Sequence, residues 1–162
     1  MTLPSRTPRP LDAGVLWAGG VAAAFVAALI VIVGILFCRG VLDIPILAPK
    51  GEGVWGDADT VTYAAGAAVA ALLATGVMHL LLLSTPKSGM FFAWIVSLAT
   101  LAAMLAPFAV KASQESRFAT AALNFVLGVA IGTLVFGSAR SAVRRATFGA
   151  RPPLAGPPYP TR

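Results

Sequence analysis

A chain of 162 residues holds one compact unit and is too short for two ordinary soluble domains. Hydrophobic residues make up 58% and charged residues 11%, against roughly 25% charged in soluble domains, so a water-facing surface could not be covered and lipid is the expected solvent. The net charge of +6 does not point to nucleic acid, because the basic residues sit at the ends of apolar segments and in the tails rather than on one aromatic-lined helix face.

In chain order, residues 1–12 are proline-rich with Arg6 and Arg9 and read as a flexible cytoplasmic tail. Residues 13–139 form a four-transmembrane-helix domain, with helices at about 14–37, 61–83, 89–110 and 118–137. Residues 140–162 form a basic, proline-rich cytoplasmic tail that begins as a helical extension at the interface. The expected fold class is therefore an all-α integral membrane four-helix bundle with both termini cytoplasmic.

The first apolar run, Gly14 to Phe37, is uncharged and 24 residues long, where about 20 suffice to span. It exceeds the roughly 7–15 apolar residues of a cleavable signal. Bulky Phe37 before Cys38 also argues against a lipoprotein cleavage site, so the helix is expected to stay attached. Cys38 is the single cysteine, which excludes an internal disulfide. It reads as a small apolar residue at a helix end, with an intermolecular disulfide as the sharper alternative.

Glycines and prolines around Trp55 argue against regular helix in 39–60, and Asp57 or Asp59 is expected to cap the second helix. That loop reads either as a solvated connector with Trp55 on the interface or as a surface for a partner or cation. Pro86 ends the second helix. Ser88 is the expected cap of the third, Pro107 should kink or loosen its last turn, and Ser116 is the expected cap of the fourth.

With both termini inside, eight basic residues lie on the cytoplasmic side (Arg6, Arg9, Lys87, Arg140, Arg144, Arg145, Arg151, Arg162) against four outside (Arg39, Lys50, Lys111, Arg117). Trp17 and Trp94 then fall near the inner interface and Tyr63 near the outer one.

No Asp, Glu, Lys or Arg falls within the expected spans, which weighs against coupled transport, since such transporters hold cargo on buried ionisable groups. His79, the sole histidine, lies roughly 6 Å below the inner boundary. Thr75, Ser97 and Thr133 fall near its depth, defining a candidate polar cluster. This cluster is either a titrating switch or ligand contact, or simply a neutral imidazole hydrogen-bonded across helices. Asn124 belongs to a stripe with Thr120, Gly128 and Gly132, whose GxxxG spacing lets backbones approach while Asn124 donates across the gap. Gly20, Ala24 and Ala28 offer a partner surface on helix one. No residue set suggests a catalytic site, a metal site or a cofactor.

The whole pattern resembles a family of small uncharacterised four-helix membrane proteins from actinobacteria. The likeness covers roughly residues 10–145. It runs from the basic, proline-containing amino end through Asp57 and Asp59 into an alanine-rich second helix closing on Val77-Met78-His79-Leu80, with basic residues after helix four. The resemblance implies a bacterial plasma membrane and no known activity. The leading expectation is a non-enzymatic structural or accessory protein. Its partners would be the lipid bilayer, a second copy or another membrane protein, met through small-residue helix faces, and not nucleic acid. The alternative is an oligomeric channel or transporter with a path near His79.

Overall fold

A helix that is apolar on every side has no face to turn toward water, so it is stable only within other apolar matter. The computed structural model, which describes residues 12–42, 46, 58–109 and 111–149, contains four such helices. They are α1 (Ala13–Gly40), α2 (Ala58–Ser84), α3 (Ser88–Leu105) and α4 (Gln114–Gly149), and no strand occurs among the described residues. All four are long and apolar enough to cross a membrane. Large side chains such as Phe25, Leu36 and Leu83 point outward with about two thirds of their surface uncovered, as lipid-facing residues do (70%, 65% and 67%).

The helix ends differ from expectation for local reasons. Asp12 belongs to α1 rather than to the tail, because its carboxylate accepts from the Val15 amide at 3.2 Å and caps the helix. Ser88 does not cap α3. It is the first helical residue, is buried, and follows Lys87 at the cap position. Ser113, not Ser116, caps α4: its Oγ accepts from the Ser116 amide at 3.3 Å and donates to the Ser116 hydroxyl at 2.8 Å. Pro107 produces no kink inside a continuing helix. The α-helix stops at Leu105 and tightens into a 3₁₀ turn, Ala106–Ala109. Asp57, the loop around Trp55 and the proline-rich tail after Gly149 lie outside the described residues.

The helices alternate in direction, and three close approaches pair the first half of one helix with the second half of another. Gly19 of α1 faces Ser138 of α4, Gly34 faces Leu123, and Gly20 faces Thr75 of α2. Helix α1 packs on α2 and α4, α3 packs on the same two, and α2 touches α4 across the middle, while α1 and α3 do not meet. Both the first residues of α1 and the last residues of α4 therefore emerge at one end of the bundle. Helix α4 continues 11 residues past Ser138, roughly 16 Å, carrying Arg140, Arg144 and Arg145 with it. The Arg140 guanidinium lies 4.4 Å over the Phe136 ring, which spreads its charge along the apolar surface as it turns toward water.

Candidate functional site

Proline has no N–H, so the carbonyl four residues before it in a helix loses its donor. For Pro107 that carbonyl belongs to Ala103, inside the membrane-spanning part of the chain. In hydrocarbon no water can replace the missing bond, and an unpaired carbonyl costs several kcal/mol, on the order of 2–7 by transfer measurements. The structure fills the gap from α4: Asn124 Nδ2 donates to the Ala103 carbonyl at 2.7 Å. The other end of the same amide, Oδ1, accepts from the Tyr63 hydroxyl of α2. One half-buried side chain thus joins three helices, using its donor and its acceptor on different neighbours.

Tyr63 was expected at the outer interface as part of an aromatic belt. It is half-buried, with its hydroxyl turned to Asn124. Nothing in the spacing of a single tyrosine shows that bond; only the depth match with Asn124 could have suggested it.

The expected GxxxG stripe is used within the chain. A β-carbon at Gly128 would collide with the Thr100 side chain of α3, and one at Gly132 would come within 3.1 Å of Val96 Cγ1. The surface paired with this motif is therefore on α3 and not on helix one. Gly20, on helix one, instead receives Thr75 of α2, whose Cγ2 and Oγ1 would both lie 2.6 Å from a β-carbon there. Ala24 is buried in the core and Ala28 packs against it, on the α1/α2 side.

The four residues expected to form a polar cluster are divided between two places. Thr75 is fully buried against α1, and His79, one turn along the same face, has its ring 6.3 Å from that of Trp17. Ser97 and Thr133 are exposed on the opposite side, in a groove between α3 and α4. The two threonine hydroxyls are satisfied on their own helices. Thr75 donates to the Ala71 carbonyl at 2.9 Å, and Thr133 to the Val129 carbonyl at 2.8 Å. His79 Nδ1 is the exception, sealed from solvent with no hydrogen-bond partner among the described residues. No three metal-ligating side chains converge among the described residues.

The family of unknown function DUF6069 matches residues 11–141. No curated protein and no solved structure matches the chain.

The proline repair has a direct test. Asn124→Leu should destabilise the bundle by about 1–3 kcal/mol, the cost of a buried unsatisfied polar group. In a Pro107→Ala background, where the amide returns, that cost should shrink by roughly 1 kcal/mol. Reversible unfolding in mixed detergent would measure the cycle, and strictly additive effects would contradict the assignment.

Proposed function

The chain belongs to this family of unknown function, and from that premise we propose that it is a non-enzymatic accessory protein of a bacterial plasma membrane, associating with another membrane protein or a second copy. The observation that carries this reading is the uneven use of the helices. In the 18-residue apolar stretch of each helix, 28% of residues are buried in α1 and α4 and 22% in α2, but 6% in α3. Gly19, Gly20 and Gly34 of α1 and Gly128 and Gly132 of α4 pack against neighbouring helices within the chain. The least covered helix is α3, whose outer face leaves Phe91, Trp94, Leu98 and Leu105 exposed. A partner helix can approach this side of α3 closely at its exposed small residues, Ser97 and Ala102.

A second reading, an oligomeric pathway near His79, draws support from the unpartnered Nδ1. Two features oppose it. Thr75 is closed off against Gly20, and Thr133 with Ser97 lies on the far groove.

Both termini are proposed to face the cytoplasm. The eight-to-four division of basic residues favours this, as does the overhang of α4 with its three arginines. The alanine, glycine, proline and arginine content favours an actinobacterial source.

Three measurements test this proposal. A photo-crosslinking residue at Trp94 or Leu98 should give a discrete protein adduct in native membranes, whereas one at Val126 of α4 should give lipid adducts only; lipid adducts at all three would remove the accessory reading. His79→Ala should leave ion and small-solute flux through reconstituted vesicles unchanged, and a several-fold change would transfer the function to the pathway. A reporter fused after Arg162 should be active only in the cytoplasm, and activity outside the cell would reverse the topology.

A further inference from the structure

The seam between α1 and α2 is open toward lipid at the end of the bundle away from the termini. Alanines at 28, 64, 65 and 68 are too small to fill it, and leave an apolar groove of about 920 Å³, within the roughly 300–1,000 Å³ of small-molecule sites. One charged side chain lines it, Arg39, in the last turn of α1. That guanidinium is exposed and has no acidic partner among the described residues. Along α2 the groove runs from Thr60 to Leu72, roughly 18 Å, and along α1 from Arg39 to Val21, roughly 27 Å. The hydrocarbon of one leaflet is about 15 Å deep, half of a 30 Å core. The groove is therefore an oily slot at least one leaflet deep with an exposed guanidinium at its mouth.

We propose that this groove is a binding site for an anionic glycerophospholipid of the leaflet opposite the termini, with one acyl chain along the alanine-lined seam and the phosphate on Arg39. The recognition follows from the chemistry. Guanidinium meets phosphate oxygens in a bidentate fork, and a net negative head group leaves the pair neutral at the interface. A zwitterionic lipid brings its own cation to the same place and gains less. The apolar walls hold the chain by packing, which a free phosphate compound cannot exploit. The site is independent of the partner face on α3, since it occupies the opposite pair of helices.

The test is native mass spectrometry of the full chain in mild detergent with equal amounts of phosphatidylglycerol and phosphatidylcholine of matched chains. Wild type should retain the anionic lipid several-fold over the zwitterionic one, and excess glycerol phosphate should not displace it. Arg39→Gln should bring the ratio near one, Arg39→Lys should restore most of the preference, and Ala65→Phe should lower retention of both lipids. Circular dichroism should report unchanged helicity in each variant, so that loss of retention is read on folded protein. Equal retention by wild type, retention of neither lipid, displacement by glycerol phosphate, or an undiminished preference in Arg39→Gln would each overturn the site.

Discussion

The hydrogen bond from Asn124 to the Ala103 carbonyl is the interaction around which the half of the bundle away from the termini is arranged. It exists because lipid enforces a rule that water does not: every backbone group left open by the sequence must be closed by the protein itself. Pro107 opens one, and the chain answers in two ways. The α-helix converts to a tighter 3₁₀ turn over Ala106–Ala109, and an amide arrives from the neighbouring helix. The amide in turn has an oxygen to satisfy, which brings in Tyr63 and ties α2 to the same point. A single missing N–H thereby organises contacts among three helices.

That amide reaches its target only because α3 and α4 lie close together. Lipid tails are as apolar as leucine, so burying leucine against another helix yields little; close backbone approach and dispersion must supply the attraction. Each close approach uses a glycine at a point where a larger residue would strike the neighbour. Gly19 and Gly34 fit α1 to α4, Gly20 fits α1 to α2, and Gly128 fits α4 to α3. The hydroxyls pressed into these gaps, Thr75, Thr100 and Ser138, return their protons to carbonyls on their own helices. They therefore enter an apolar interface without carrying an unmet donor. Glycine and threonine act here as a pair, one giving room and the other filling it.

The four spans were legible in the sequence because the signal, long uncharged runs, is set by bilayer thickness alone. The polar positions were legible too: Asn124, Pro107, Gly128 and Gly132 each stood out as exceptions in apolar surroundings. Their pairing was not. Linking Pro107 to Asn124 requires knowing that α3 is the neighbour α4 meets at that depth, and near-uniform apolar helices carry no pattern that orders them around a bundle. For the same reason the GxxxG motif identified a close approach but not its partner, and helix one stood in for α3. The cluster around His79 failed on azimuth rather than depth. Residues at one level of a bundle share a site only if their helices turn the same faces inward, and Ser97 and Thr133 face outward.

The bundle is unequal, and this bears on how it behaves. Helices α1, α2 and α4 enclose a core of Leu16, Val31, Thr75 and Val135, all without exposed surface. Helix α3 contributes chiefly Phe92 and is otherwise fastened at points: Gly89 against Phe136, Gly128 against Thr100, and the Asn124 bond at its far end. A helix held by few contacts opens at lower cost than one packed along its length. In a bilayer it need not unfold to do so, since its own backbone bonds remain intact while it separates. The Asn124 bond limits this freedom. Pulling α3 away exposes the Ala103 carbonyl to hydrocarbon, so the proline that weakens α3 as a helix also penalises its departure from α4.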